Sequence, residues 1–425
     1  MPSTGTNRLR DVIKGNVLVL TVSSILWNFS DTITYAYLSL YILSLGGDYV
    51  TIGVVNSIAS ISAIVLYPVG GYIADKAGRA KLIGLSTLLY TSSYALFAIA
   101  NTWQVVAIAM IYQQVILFYM PAINALMADS IPVGSRGRMY AITVGFPEAV
   151  RVIIPYLGGY LIALLTLQPA MRVGYTIGFC LGWLVTFIRL RYLKETINTT
   201  EPIGKDLKKI FKESYKGAFS SIRWMFKNIR GFLVVAIIVA FSGNFVMPFW
   251  IVFAQQVKGL TPYEWGIILL LSGVTRATSS LLIGGLIDRI GAKRCMLIGF
   301  ALTIPSLILF VNANGFWQMT PIYLVLVLGS TFSWIASSVL LANIIPKQLR
   351  GRIMSGIGQG LGLGVSGGGY ASGFLLFIPL SLGAFIAGYI FAYNSALPWF
   401  LLSGFLAVAM AITFLFVKEP PKAEE

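Results

Sequence analysis

Apolar runs long enough to cross a bilayer recur twelve times along the chain, separated by short connections and one longer polar stretch. They fall at approximately 16–44, 49–74, 82–100, 103–129, 138–166 and 171–190. They resume at 231–256, 263–287, 295–313, 316–343, 351–391 and 396–417. About 20 consecutive apolar residues span the hydrocarbon layer as a helix. The pattern predicts an all-α integral membrane protein of twelve spans, with both termini on one side. Between 194 and 229 the pattern changes. Ile203, Leu207, Ile210, Phe211, Ser214, Ala218, Ile222, Met225 and Ile229 recur at helical spacing with Lys residues among them. That spacing predicts an amphipathic linker helix at the anionic cytoplasmic leaflet. The aromatics Phe219, Trp224 and Phe226 favour this over a soluble tether that pairs with another protein. The chain then divides into 1–193, a linker at 194–229, and 230–425.

Composition agrees with a membrane protein: 57% of the residues are apolar, 11% are charged and none is His. A soluble chain carries about 25% charged residues. The net charge of +16 would suit a nucleic-acid partner, but its distribution argues against one. Lys and Arg concentrate on cytoplasmic loops. The N-terminus, the even-numbered loops, the linker from Arg189 to Arg230 and the C-terminus together hold 27 of the 31. Only Arg172 and Lys258 fall opposite, while Arg151 and Arg276 lie within spans. One missed helix would scramble this alternation, so both termini are expected in the cytoplasm and the chain in the cell membrane. Cys180 and Cys295 lie in or beside apolar segments and suit ordinary packing. The polar stretch Met1–Lys14 carries no cleavage-type signal, and the first span is long enough to stay as an anchor. Asn198-Thr199-Thr200 matches a glycosylation sequon, but its cytoplasmic placement makes the match accidental.

The two halves repeat each other. Gly71-Tyr-Ile-Ala-Asp75-Lys-Ala-Gly78-Arg79-Ala-Lys81 follows span 2, and Gly284-Gly-Leu-Ile-Asp288-Arg289-Ile-Gly291-Ala-Lys293-Arg294 follows span 8. Asp129-Ser-Ile-Pro132 with Arg136-Gly137-Arg138 is matched by Asn343-Ile-Ile-Pro346 with Arg350-Gly351-Arg352. Leu193-Lys194-Glu195 pairs with Val417-Lys418-Glu419 at a slightly larger offset. The loop after span 2 resembles the signature loop of the major facilitator superfamily, and its weaker copy after span 8 is what that family also shows. The resemblance implies two pseudo-symmetric six-helix bundles rocking about a central cavity, with substrate near the midplane. It also implies a conformational latch in which Asp75 pairs with Arg79 and Asp129. Gly71, Gly78 and Lys81 shape that loop, and Asp288, Arg289 and Gly291 form the second copy. A fixed structural ion pair is the competing reading.

Ionisable side chains inside a bilayer are costly, so each is a candidate for function. Asp31, Glu148, Arg151 and Arg276 are the four, and all are expected to face the cavity as a substrate or proton site. Glu148 and Arg151 stand three apart and can pair. Asn244 is the pseudo-symmetric counterpart of Asp31. With no histidine, proton coupling falls to a carboxylate, Asp31 or Glu148, and Arg276 is cast as an anion contact or counter-ion. Trp27, Tyr35, Gln113, Tyr119 and Phe245 are expected on the cavity wall. The glycine-rich run from Gly356 to Gly373 is longer than one crossing needs and predicts a broken helix.

Pro155-Tyr-Leu-Gly158-Gly159 in span 5 looks like part of the motif of drug–proton antiporters, although Ile154 replaces its expected glycine. Ala109 stands near where such exporters carry an arginine. The resemblance implies proton-coupled export of amphipathic compounds; the alternative is an importer or exchanger of a small organic anion or nutrient. No phosphate-binding loop, metal cluster or nucleophile–His pair points to an enzyme or a cofactor. The partners expected are a small-molecule substrate, protons and lipid, with the chain a monomer.

Overall fold

The computed structural model describes residues 14–76, 78–131, 141–197, 207–346, 349–365 and 373–419. Among them, 12 helices are long and apolar enough to cross a membrane. In the first half these are α1 (Asn16–Tyr35), α2 (Tyr49–Lys76), α3 (Arg79–Ile99), α4 (Trp103–Ser130), α5 (Phe146–Leu165) and α6 (Leu167–Tyr192). In the second they are α7 (Arg230–Val257), α8 (Pro262–Ile290), α9 (Ala292–Asn312), α10 (Gly315–Ile344), α11 (Phe374–Tyr393) and α12 (Leu397–Phe416). Helices are the natural solution here, because hydrocarbon offers no partner for an open backbone N–H or C=O. Within the first half α6 packs on α1 and α3, and α2 on α4; within the second α9 packs on α10 and α12, and α7 on α12. The halves meet where α2 lies on α11 and where α5 lies on α8.

Proline interrupts several spans, and in α2 a side chain from the linker helix fills the carbonyl that results. Proline has no N–H to give to the carbonyl four residues earlier. Pro68 in α2 therefore strands the Ile64 carbonyl, and the Tyr215 hydroxyl donates to it and to the Val65 carbonyl, each at 3.1 Å. Elsewhere Tyr37 donates to the Pro155 carbonyl at 2.7 Å and Ser39 to the Pro248 carbonyl at 2.6 Å, bonds that tie the end of the first span to α5 and α7. The break at Pro68 is thus satisfied inside the protein, as a lipid-exposed break could not be.

Tyr215 belongs to the linker helix, Leu207–Asn228. That helix packs against α2 and the short helix Arg350–Ile357, with Met225 fully buried and Lys212, Arg223, Phe226 and Lys227 exposed. Its inner face is committed to the bundles, a contact the amphipathic pattern alone did not reveal. Ile203 and the side chains of Ala218 and Phe219 lie outside the described residues.

The long eleventh apolar run is broken. The helix Arg350–Ile357 ends at Gly358, whose φ is 92°, and the chain runs irregularly through Val365 before α11 begins. The Ser337 hydroxyl accepts from the Leu361 N–H at 2.8 Å, and the Trp250 indole donates to the Gly364 carbonyl at 2.7 Å.

The internal repeat has a structural reason at its third pair. Gly78 and Gly291 precede α3 and α9 with φ of 96° and 92°, values that favour glycine. Glu195 accepts from the Ala80 N–H at 3.0 Å, while Glu419 accepts from the N–H groups of Ala292 at 2.5 Å and Lys293 at 3.3 Å. Each half thus uses the carboxylate after its last span to hold the first-turn donors of its third. Burial pushes the Glu195 carboxyl up, but four backbone N–H groups, of Arg79, Ala80, Thr196 and Ile197, outweigh it and hold its pKa below the ordinary value. Such a group stabilises the fold above its unfolded pKa, and that contribution disappears as pH falls through the lower folded value. Glu195→Gln is therefore expected to melt earlier than the native chain at pH 7. The gap in Tm should begin to narrow as the pH falls below about 4, where the unfolded state takes up the proton, and close once the folded carboxyl is protonated as well. An equal gap at pH 7 and pH 3 would mean the carboxylate charge plays no part.

Candidate functional site

Between the halves lies a cavity of about 2000 Å³. Its deep end is walled by Ser39, Pro248 and Trp265, and it runs to Tyr72, Leu281, Met354 and Ser214 of the linker helix. The side opposite the linker is closed by contacts between halves. The Tyr37 hydroxyl reaches the Pro262 carbonyl at 3.2 Å, Tyr49 donates to Gln256 at 2.6 Å, and the hydroxyls of Tyr156 and Tyr263 are 3.2 Å apart. Gly53 and Gly388 let α2 and α11 touch through their backbones.

Three charged side chains stand among the described residues of the wall: Glu148 and Arg151 on α5 and Arg276 on α8. Glu148 Oε1 and Arg151 Nη1 are 3.6 Å apart, and the Glu148 side chain is 55% exposed. Arg276 faces both of them across the gap, within electrostatic reach, with Tyr323 beside it. Asn244, Tyr35 and Gln113 also line the wall. The Asn244 amide is in addition tied to the Leu380 carbonyl at 2.8 Å, which fastens α7 to α11.

Four expected cavity residues are elsewhere. Asp31 is not among the wall residues; its carboxylate accepts from the hydroxyls of Tyr90 at 3.0 Å and Tyr94 at 3.1 Å, both on α3. The reason is helical phase. The cavity face of α1 is centred on Thr32, about 100° of rotation from Asp31, and Tyr35 reaches the cavity from the boundary between the two faces. Trp27, one turn below Asp31, turns the same way and packs on Tyr90 with ring centres 4.8 Å apart. Tyr119 closes a 3-10 segment, Leu117–Tyr119, whose altered phase carries it into the first bundle. Phe245 is buried against Phe241 and Phe405, with ring centres 5.0 Å and 5.8 Å away.

Two of these, Trp27 and Tyr119, meet around a residue that the sequence places in the linker, with Asp31 one turn beyond Trp27. Arg189 lies in the last turn of α6 and is 2% exposed. Its guanidinium donates to the hydroxyls of Ser23 at 3.2 Å and Thr87 at 2.9 Å, faces the Tyr119 hydroxyl, and sits 5.3 Å above the Trp27 ring. Among the described residues it has no carboxylate partner. Ser23, Trp27 and Asp31 share one face of α1, so Arg189, fully buried, and Asp31, partly buried, cap the two ends of one polar column.

On the linker side, Arg79 forms an ion pair with Asp129 across α3 and α4. Lys81, Asp288 and Arg289 are exposed. The side-chain surroundings of Gly71 and Asp75, and the segment Pro132–Arg138, lie outside the described residues.

Comparison with known proteins accords with this geometry. The Major Facilitator Superfamily model matches residues 20–277 and 232–425. The chain is 24% identical to the class E tetracycline resistance protein of Escherichia coli over 71% of its length and 74% of that protein's. It is also 24% identical to a homolog of the multi-drug resistance efflux pump PmrA from Lactococcus lactis, over 90% of its length and 91% of that protein's. Among solved structures, a bacterial homolog to the human lysosomal transporter Spinster, inward-facing and occupied, superposes with a TM-score of 0.70 at 17% identity, covering 96% of this chain and 98% of that one. A D-xylose-proton symporter does so at 0.67 and 15% identity, over 95% and 97%. Twelve spans in two repeated bundles, a cavity between them and the match of the family model establish this multi-pass membrane protein as a transporter of the Major Facilitator Superfamily.

Proposed function

We propose that the chain exports amphipathic organic solutes by alternating access, using proton entry as the driving force, with the linker and both termini in the cytoplasm. One observation carries this reading: the cavity reaches the linker side, while the inter-half hydrogen bonds through Tyr37, Tyr49 and Tyr156 seal the other. A solute would enter from the cytoplasm and leave when those contacts part and the linker side closes. The curated relatives named for tetracycline and multidrug resistance support export. Two carboxylates are available for the proton, Glu148 on the wall and Asp31 in the column behind it. Asp31 is the better coupling group, because it stands outside the cavity wall and a change in its charge is felt through α1 and the α3 tyrosines that hold it.

Purified protein in proteoliposomes, loaded with a dye and given a pH gradient, tests this. Dye should leave against its own gradient, and Asp31→Asn should bring the rate down to that of empty vesicles. The amide oxygen still accepts from Tyr90 and Tyr94, so the fold is kept and only the charge is lost. Efflux indifferent to the pH gradient would sink the coupling.

A further inference from the structure

The charge of the wall narrows the class of solute. Two guanidiniums and one carboxylate line the described cavity, and no other charged side chain joins them there. Glu148 lies 3.6 Å from Arg151 on the same helix, so most of its field is spent within α5. Arg276 brings the second positive charge from the opposite half. Like charges facing one another across a gap repel, and an anion placed between them relieves the repulsion, whereas a cation adds to it. At an effective dielectric of about 20, a unit charge roughly 8 Å from one net positive charge is favoured or disfavoured by about thirtyfold.

The remaining wall describes the body of the solute. Tyr35, Tyr67, Tyr72 and Trp334 present partly accessible rings to the cavity, surfaces on which a planar ring system can stack. Thr32 Oγ1 and Gln114 Oε1 are buried on the same wall and make no hydrogen bond among the described residues; Thr32 is 6% exposed. Buried oxygens without partners are costly unless water or a bound molecule supplies a hydrogen bond. Resting on the transport reading above, we infer that this cavity selects aromatic solutes bearing a net negative charge, with Arg276 and Arg151 as the anion contact and Thr32 and Gln114 bonding polar groups on the ring system.

Fluorescein and rhodamine 123 share one ring system and differ in charge, which makes them matched probes. The full chain in proteoliposomes should favour fluorescein over rhodamine 123 by up to about a thousandfold, thirtyfold gained by the anion and thirtyfold lost by the cation. Arg276→Gln should erase that preference, and Arg276→Lys, which keeps the charge, should retain it. Equilibrium quenching of each dye by detergent-solubilised protein reports binding without flux and should show the same order of Kd. Equal handling of the two dyes by the native chain, or a loss in Arg276→Gln that is the same for both, overturns the inference. Should neither dye move while fluorescein still binds through Arg276, the charge assignment stands and the transport reading falls. Binding of neither dye sinks the assignment.

Discussion

Gly388→Trp is expected to abolish transport and to leave the chain open on the side that is now closed. Gly388 of α11 meets α2 so closely that an added Cβ would lie 2.9 Å from the Tyr49 carbonyl oxygen and from Val50 Cα. The reciprocal position, Gly53, would place a Cβ 2.6 Å from the Ala384 carbonyl oxygen and 2.8 Å from the Gly388 nitrogen. These are backbone atoms, so neither helix can yield by a side-chain rotation. Overpacking by a methylene or two costs about 1–3 kcal/mol in a packed core, and an indole adds far more volume than that. Reversing an equilibrium from 1:99 to 99:1 takes about 5.5 kcal/mol, within reach of such a wedge. The linker side is free to close in response, because the wedge acts only at the opposite end. Cysteine labelling should show it: a reporter at Ser280 on the cavity wall should lose reactivity toward a reagent added from the linker side. A reporter at Tyr156 should gain it from the other. Gly404→Trp in α12 is the control, since a Cβ there meets nothing within 4 Å. Unchanged labelling in Gly388→Trp would mean that the α2–α11 contact does not open during the cycle.

The spans were legible in the sequence because the bilayer imposes a length and a composition that no other environment asks for. The repeat was legible because a glycine at positive φ and a carboxylate holding the next helix are needed once in each half, at Gly78 with Glu195 and at Gly291 with Glu419. Depth could be counted from the ends of the spans, and Glu148, Arg151 and Arg276 do reach the cavity. Azimuth could not be counted. A membrane helix has no polar face fixed by solvent, so a hydrophobic stripe does not say which side meets a cavity and which a neighbour. Asp31 and Thr32 differ by one position and face different compartments for that reason.

Local breaks compound the difficulty. The 3-10 segment ahead of Pro121 shifts Tyr119, and the interruption of α7 between Asn244 and Phe249 changes the direction in which Phe245 points. Each break alters the phase of every residue beyond it. Arg189 escaped for a different reason: it lies close to a polar, cation-rich linker, and hydropathy assigns such a residue to the loop. Its burial becomes visible only when Ser23 and Thr87 of two other helices are seen to converge on it.

Gly70→Ala should be the most damaging single methyl group in the first half. Gly70 stands two residues beyond Pro68, where α2 crosses the 3-10 segment of α4, and an added Cβ would fall 1.6 Å from the Phe118 carbonyl oxygen and 2.5 Å from its carbon. The two backbones would have to separate, and Phe118 precedes Tyr119, which faces the buried Arg189. The substitution therefore attacks both the α2–α4 packing and the polar column. A loss of about 3 kcal/mol or more is expected, read as a lower Tm in detergent and a smaller monodisperse fraction. In an open helical position the same change runs the other way, because alanine favours a helix over glycine by about 1 kcal/mol. Gly284 and Gly285 of α8 offer that comparison, since a Cβ at either meets nothing within 4 Å. Gly284→Ala and Gly285→Ala should hold or raise the Tm while Gly70→Ala lowers it. If all three moved together, helix propensity would outweigh the close approach of α2 to α4, and that crossing would not be what fixes Tyr119 against Arg189.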